Sequence, residues 1–245
     1  RVGLKANWQE INMRRFNDLT EFYELLANLE SNLGGKRTLE NCDGRMNWPQ
    51  RGIYFFFETG ENRDQSSIGL RVVRIGTHAL KERSNTTLWH RLKQHKGNEK
   101  GGGGNHRGSI FRSHIGSALI QKDKWASEIQ ETWGIGQNTS REIKILEKPL
   151  EQSVSLYIRK MPFLWLEVND EPGPNSLRGY IEGNSIALLS NYNSAIDPID
   201  SPSSTWLGHW AKSEKVRNSG LWNSDHVMDV YDPKFLEILK QQINQ

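Results

Sequence analysis

Two apolar runs in the first third of the chain constrain its fold more than any other feature. The first, GIYFFF at residues 52–57, is apolar on both of the faces that a strand would present. Because successive side chains of a strand point to opposite faces, this run must lie inside a sheet that is covered on both sides. A second run at 69–75 follows a polar turn at 59–65, and we expect the two to pair as a long hairpin.

Helical spacing, caps and breakers predict further elements around these strands. Apolar residues recur at helical spacing within residues 9–33, and Gly34-Gly35 would end that helix. Four consecutive glycines at 101–104 predict a mobile loop. Strands that alternate with helices indicate an α/β or α+β fold with helical additions at both termini. The other predicted helices cover 88–96, 110–132, 177–191 and a tail from Pro233, and the other predicted strands cover 143–146, 154–158 and 163–168.

Charge is unevenly distributed along the chain. The net charge is +3, but residues 71–112 hold ten Lys and Arg against two acids, Glu82 and Glu99, which gives this segment a charge of +8. A basic segment on a nearly neutral chain is typical of a protein that binds a polyanion such as nucleic acid. A solvated lysine-rich surface would have the same composition.

Composition excludes several kinds of protein. With one cysteine, Cys42, the chain can form neither an intramolecular disulfide nor a cysteine-based zinc site, which fits a reducing, cytoplasmic location. No apolar run approaches the ~20 residues that span a bilayer, and residues 1–30 lack a secretory signal pattern. We therefore expect no membrane partner.

The stretch TTLWHRLKQHKG at residues 86–97 predicts a helix with a basic face. Arg91 and His95 are four residues apart and share a face, which Leu88 and Leu92 would anchor to the sheet. A guanidinium held in this way is suited to phosphate, because it is always charged and presents a fork of donors. A solvent-exposed basic helix would have the same pattern.

Two other residues stand out as candidates for chemistry. Glu182 shares a helical stripe with Ile186 and Leu189, where a carboxylate is costly unless it is paired or binds a metal ion. Mg²⁺ commonly takes one or two protein carboxylates and keeps several waters. A place in the first helical turn, which favours acids, would also explain Glu182. Tyr54 lies in the middle of the first strand, where a tyrosine is either a core residue or a catalytic one.

The order and spacing of these elements carry more information than any one of them. Gly52-Ile53-Tyr54 precedes Ile75-Gly76, then comes Leu-x-x-Arg-Leu-x-x-x-His at 88–95, and later a helix that opens with Glu182 and closes with Tyr192-Asn193. This arrangement resembles the GIY-YIG endonuclease superfamily, over residues 52–96 and 180–193.

The resemblance implies a fold, an activity and partners. The fold would be a small central, mainly antiparallel sheet of about three strands flanked by helices. The activity would be hydrolysis of phosphodiester bonds in DNA with Mg²⁺ (or Mn²⁺), in double strands by preference and in single strands as an alternative. Because the superfamily includes restriction enzymes, it also implies a role in restriction or defence, and a homodimer if the target is palindromic.

The resemblance also assigns roles to individual residues. Tyr54 would act as general base on the attacking water or position it, and His95 would tune the tyrosine. Arg91 would stabilise charge on the scissile phosphate, and Glu182 would hold the metal ion. Asn193 would support the site, although two other asparagines of that segment compete with it. The basic residues expected to contact DNA are Lys93, Lys96, Lys100, Arg107 and Arg112.

Arg74 departs from the family pattern, because the second motif normally has a tyrosine there. Arg74 would either bind phosphate in an active enzyme or mark a weakened site. Since the other four positions match, we favour an active enzyme. His78, two residues after the motif, could take over part of the missing role.

The resemblance divides the chain into three parts and leaves two alternatives. Residues 1–50 form an N-terminal helical extension, 51–196 a nuclease-like domain with a glycine-rich insertion at about 97–150, and 197–245 a C-terminal extension. One alternative is a PD-(D/E)xK nuclease, whose loose spacing is met by Asp123, Glu142 and Lys144, the last two on a predicted strand. The other is a nucleic-acid-binding module that has lost catalysis.

Overall fold

A small antiparallel sheet lies at the centre of the fold. The computed structural model describes residues 2–64, 69–98, 101–136, 138–193 and 197–245, with side chains from residue 10 onward. Over these ranges the sheet has four strands, all neighbouring pairs are antiparallel, and the order is β1-β4-β2-β3. The predicted α/β fold with a small antiparallel sheet is confirmed. The strands are β1 (Arg37–Thr38), β2 (Gly52–Asn62), β3 (Leu70–Gly76) and β4 (Pro162–Glu167).

Helices cover both faces of the sheet. The described part of the chain contains no helix that is both long and apolar enough to cross a membrane. The α-helices are α1 (Val2–Leu33), α2 (Leu88–Lys96), α3 (Ile110–Asp123), α4 (Ser127–Thr132), α5 (Arg141–Arg159), α6 (Leu177–Leu189), α7 (Glu214–Ser219) and α8 (Phe235–Ile243). Short 3₁₀ turns lie at Leu39–Asn41, His106–Gly108 and Leu207–Trp210.

Strand β2 is buried on both faces, as its apolar run predicts. Ile53 and Phe55 belong to a core shared with α1, α6 and α8, whereas Tyr54 and Phe56 belong to a second core shared with α2, α3 and α5. All four side chains are fully buried. The alternation of the strand therefore directs Tyr54 towards the helix that carries Arg91.

Most of the predicted helices form close to their expected ends. Helix α1 stops at the glycine pair, where Gly34 and Gly35 have φ of 72° and 108°. The single helix expected at 110–132 is divided in two, because Lys124 adopts the left-handed conformation with φ of 53° between α3 and α4.

The strands predicted at 143–146 and 154–158 are wrong, because both segments lie within α5. The buried face of α5 recurs at helical spacing, but Glu147 and Glu151 occupy two of its positions and pair there with arginines. Leu150, Val154 and Ile158 recur every four residues, so the helical period is present in the sequence, but two short apolar runs within it resemble strands.

The glycine run packs against α5 rather than standing free. A Cβ on Gly104 would lie 2.2 Å from Cζ of Arg112, and Gln152 of α5 donates a hydrogen bond to the carbonyl of Gly101 (3.3 Å). Over 101–104 the glycines therefore permit close approach of the backbone to Arg112 of α3 and to α5.

The C-terminal segment covers the outer edge of β3. The backbone N–H of Trp222 donates to the carbonyl of Val73 (2.7 Å), and the side chain of Asn223 bonds both the N–H (3.1 Å) and the carbonyl (2.9 Å) of Ile75. Residues near 222 therefore lie beside the second motif. The division of the chain at residues 50 and 196 stays a prediction.

Candidate active site

The glycines of the two motifs lie where neighbouring groups leave no room for a side chain. A Cβ on Gly52 would be 2.4 Å from the carbonyl oxygen of Leu166, and a Cβ on Gly76 would be 2.2 Å from the hydroxyl oxygen of Tyr54. Tyr54 and Gly76 are partners in the register of β2 and β3. The second motif therefore provides the space in which the tyrosine of the first motif lies.

Tyr54 and His95 form a buried hydrogen-bonded pair. The hydroxyl of Tyr54 lies 2.8 Å from Nε2 of His95, and Nδ1 of His95 lies 2.9 Å from Oγ of Ser109. All three residues are almost completely buried. Burial, reinforced by nearby arginine charges, holds the pKa of His95 well below its usual value, so the imidazole is neutral at neutral pH.

A cavity of about 420 Å³ brings together residues that are far apart in the sequence. Arg74 of β3, Arg91 of α2 and Glu182 of α6 all line it, as does His78. Tyr54 is fully buried and does not line it. The C-terminal segment contributes Asn223, Asp225 and His226 to the wall.

The two arginines that line the cavity each have a hydrogen-bond donor without a partner among the described residues. Arg74 donates from Nη1 to the carbonyl of Trp222 (3.0 Å), and Arg91 donates from Nη1 to Oε1 of Gln94 (2.9 Å) and to the carbonyl of Gly108 (3.2 Å). The Nε of each arginine is buried and has no hydrogen-bond partner among the described residues. Since buried N–H groups are nearly always satisfied, both Nε–H groups are suited to donate a hydrogen bond to a ligand oxygen.

Glu182 is the half-buried carboxylate of the cavity. Its Oε1 accepts a hydrogen bond from the backbone N–H of Thr77 (3.1 Å). Burial raises the pKa of Glu182, and the charges of Arg74, His226 and Arg91 act in the opposite direction. No group of three or more His, Cys, Asp or Glu side chains in the described ranges could hold a metal ion. One carboxylate fits a hard cation that keeps most of its waters.

Comparison with known protein families agrees with this geometry. The sequence model described as the GIY-YIG domain matches residues 13–245. The chain belongs to the GIY-YIG domain family. Membership supports a nuclease-type function with DNA as the substrate. No curated protein and no solved structure matches the chain.

Asn193 lies outside the cavity of this GIY-YIG domain. Helix α6 ends at Leu189, and Asn193 is exposed beyond that end. The support predicted for Asn193 comes in the structure from Asn223, whose amide holds both backbone groups of Ile75. Sequence reasoning missed Asn223 because it lies outside the segments that carry the resemblance.

Sequence reasoning also missed Ser109, which lies behind His95. Ser109 accepts a hydrogen bond from the backbone N–H of Arg112 (3.3 Å) and so caps α3. A serine directly before a helix is a readable capping signal. Its second contact, with His95, depends on how α2 and α3 pack and has no local signal.

Three of the five basic residues predicted to contact DNA have internal partners. Arg112 is fully buried and pairs with Glu151, the guanidinium of Arg107 binds a glutamate of α5 at two points (2.6 and 2.8 Å), and Nζ of Lys96 donates to a backbone carbonyl (2.6 Å). These contacts join α3 to α5, the turn at His106–Gly108 to α5, and α2 to Cys42, and the contact of these three residues with DNA stays a prediction. Lys93 is exposed, and Lys100 lies outside the described residues.

The alternative PD-(D/E)xK site loses its structural basis. Glu142 and Lys144 are exposed in the first turn of α5, not on a strand, and Asp123 is exposed at the end of α3. Such a site needs the glutamate and the lysine on a strand beside the aspartate. This alternative is therefore not kept.

Proposed function

We propose that this protein is a DNA endonuclease that hydrolyses phosphodiester bonds with Mg²⁺ or Mn²⁺. The observation that carries the proposal is the cavity in which Arg74, Arg91 and Glu182 meet. Two buried N–H donors without partners fit the oxygens of a phosphate, and a half-buried carboxylate beside them fits a hard cation. In the reaction, water adds to phosphorus and one ester bond breaks, which leaves a phosphate monoester and a free hydroxyl.

Arg74 and Arg91 would bind and polarise the scissile phosphate. Their charges lie where negative charge accumulates during attack on phosphorus, so their contribution is larger in the transition state than in the ground state. Arg74 thus has a part in the reaction although it replaces the motif tyrosine. Its Nη1 is fixed by the carbonyl of Trp222, which leaves Nε for the substrate.

Glu182 would hold the metal ion, with waters as its other ligands. The N–H of Thr77 orients the carboxylate through Oε1. A bound Mg²⁺ or Mn²⁺ supplies positive charge that neutralises the phosphate and the leaving oxygen.

Tyr54 and His95 would position Arg91 without contacting the substrate. Their hydrogen bond (2.8 Å) joins β2 to α2, the helix that carries Arg91. Because the hydroxyl of Tyr54 is enclosed between His95 and Gly76, we assign the pair a positioning role.

The surface along α2 would carry the flanking DNA. Arg91 lines the cavity that contains Arg74 and Glu182, here called the catalytic cavity, and also a neighbouring cavity that Gly108 lines. Gly108 also lines a groove of about 860 Å³. The exposed His90 and Lys93 belong to the wall of that groove. We favour double-stranded DNA, with single strands and a homodimer on a palindromic target as the other cases to test, and a role in restriction or defence.

A cleavage assay tests the proposal. Purified protein is incubated with supercoiled plasmid, single-stranded DNA and branched DNA, in Mg²⁺, Mn²⁺ or chelator. We expect metal-dependent cleavage that falls at least about 100-fold in Arg91→Ala and in Glu182→Gln. Arg14→Ala, an exposed arginine of α1, is the matched control. Salt-dependent binding without cleavage would instead support the inactive binding module, and cleavage retained in both variants would contradict the assigned site.

Substitutions at Arg74 test whether the departure from the motif is a working feature. We expect Arg74→Ala to reduce cleavage and Arg74→Tyr to do the same, because the tyrosine cannot supply a charged donor to the phosphate. A strong increase in Arg74→Tyr would show that the natural site is attenuated.

A further inference from the structure

His78 lines the catalytic cavity and carries a hydrogen-bond acceptor that no described residue uses. Its side chain is 6% exposed, and Nδ1 lies 2.9 Å from the carbonyl oxygen of Thr86. A carbonyl can only accept, so Nδ1 carries the proton and Nε2 carries a lone pair in the neutral ring. Nε2 is buried and has no partner among the described residues, although His78 lines the cavity.

The surroundings of His78 keep the ring neutral. Burial, and after it the charge of Arg178, lower the pKa of His78 to about 4; the bond to Thr86 opposes them, and the charges of Arg91 and Arg51 add smaller decreases. The other ionisable groups that line the same cavity are Arg74, Lys81, Arg91, Glu182, Asp225 and His226. At neutral pH Nε2 therefore carries no proton, and its lone pair can accept one.

The hydroxyl of Tyr54 already has a partner, and Tyr54 does not line the cavity. Tyr54 is 0% exposed, and its hydroxyl is in contact with His95 and covered by Gly76. Phosphodiester hydrolysis nevertheless requires that a proton leave the attacking water. The cavity that Arg74 and Arg91 line is also lined by His78, whose Nε2 has no partner among the described residues.

We propose that Nε2 of His78 accepts the proton of the water that attacks the scissile phosphate, an inference that rests on the proposed nuclease function. The oxygen of the water forms the bond to phosphorus as its O–H electron pair is released, and the proton passes to Nε2. The ester P–O bond then breaks, its electron pair stays on the leaving oxygen, and that oxygen takes a proton from solvent. His78 returns its own proton to solvent. Binding of the anionic phosphate offsets the arginine charges, which raises the pKa of His78 towards that of an effective base.

His78→Asn is the variant that isolates this role. The asparagine amide can still donate to the carbonyl of Thr86, but its oxygen is not basic, so no proton acceptor replaces Nε2. We expect a fall in kcat of about 100-fold or more, with KM and DNA binding nearly unchanged. In the wild-type protein kcat should fall at acid pH as His78 is protonated, and this fall should be absent from the pH profile of His78→Asn. His114→Gln is the matched control, because His114 is also buried with an unpartnered Nε2 within the described chain but lines another cavity.

Nitrogen NMR of the histidine side chains gives a second measurement that needs no turnover. In the free protein we expect His78 to be neutral, with the proton on Nδ1, and to titrate at higher pH when a cleavage-resistant phosphorothioate duplex is bound. A proton on Nε2 at neutral pH would overturn the inference, as would wild-type kcat in His78→Asn. If the wild-type protein cleaves no DNA under any condition, the proposed function fails and the role of His78 fails with it.

Discussion

The contact between Gly76 and Tyr54 predicts that a side chain at residue 76 destabilises the protein and reduces cleavage. In Gly76→Ala the added Cβ would lie 2.2 Å from the hydroxyl oxygen, 2.4 Å from Cζ and 2.7 Å from Cε2 of Tyr54. The ring is fully buried and must move. Its movement would break the hydrogen bond of 2.8 Å between Tyr54 and His95.

Two terms set the size of the effect. Overpacking a buried site costs about 1–3 kcal/mol, and a buried polar group left without its partner costs about 1–3 kcal/mol. We therefore expect Gly76→Ala to lower the free energy of unfolding by about 2–6 kcal/mol. We expect cleavage to fall as well, since the Tyr54–His95 pair would position the helix that carries Arg91.

Urea unfolding followed by far-ultraviolet circular dichroism measures the predicted loss. Gly173→Ala is the control, because no heavy atom lies within 4 Å of its added Cβ and its φ is not in the left-handed region. The double variant Tyr54→Leu/Gly76→Ala should lose less than the sum of the single variants, since the leucine removes the atoms that clash. An unchanged unfolding free energy in Gly76→Ala, or strict additivity in the double variant, would refute the reasoning.

Three further predictions concern stability and DNA binding. The pKa values of His78 and His114 are about 4 in the folded protein, below the value of about 6.5 in an unfolded chain. Between these pH values the unfolded chain binds more protons than the folded protein, so the free energy of unfolding decreases as the pH falls, by roughly 3 kcal/mol for each histidine. Urea titrations across this range should show a smaller decrease in His114→Gln than in the wild-type protein. Glu151→Ala should cost about 3–5 kcal/mol in the same assay, because it leaves the buried charge of Arg112 without its partner, whereas an effect below about 1 kcal/mol would contradict that pairing. Lys93→Ala should weaken DNA binding for all sequences alike and reduce the salt slope by about 1 in fluorescence anisotropy titrations, and an unchanged slope would place DNA elsewhere.

The sequence by itself determined the central strands and the order of the motif elements. The run from Gly52 to Phe57 is apolar on both faces, and both faces are buried in separate cores. The ends of α1 and α2 follow from the glycine pair after Leu33 and from the cap of Thr87, whose hydroxyl accepts from the N–H of His90 (3.3 Å). These are local rules, in which spacing and capping within one segment decide the outcome.

Tertiary structure decided which charges belong to the interior. In the sequence Arg107, Arg112 and Lys96 are indistinguishable from Lys93, yet only the first three have partners that enclose them. Helix α5 was missed although Leu150, Val154 and Ile158 recur at helical spacing, because two short apolar runs within it resemble strands. A charged side chain is buried when a distant segment supplies its counter-charge, and such pairing leaves no periodic signal within either segment.

Tertiary structure also decided the composition of the candidate site. Asn223 and His226 lie more than 140 residues after β3 in the sequence, and they line the cavity because the C-terminal segment covers that strand. Tyr54, the most recognisable residue of the motif, is enclosed, whereas His78 is left with a free acceptor. The sequence identified residue types able to act on a phosphodiester, but only packing determined which of these residues line the cavity, because exposure depends on every element that covers a side chain.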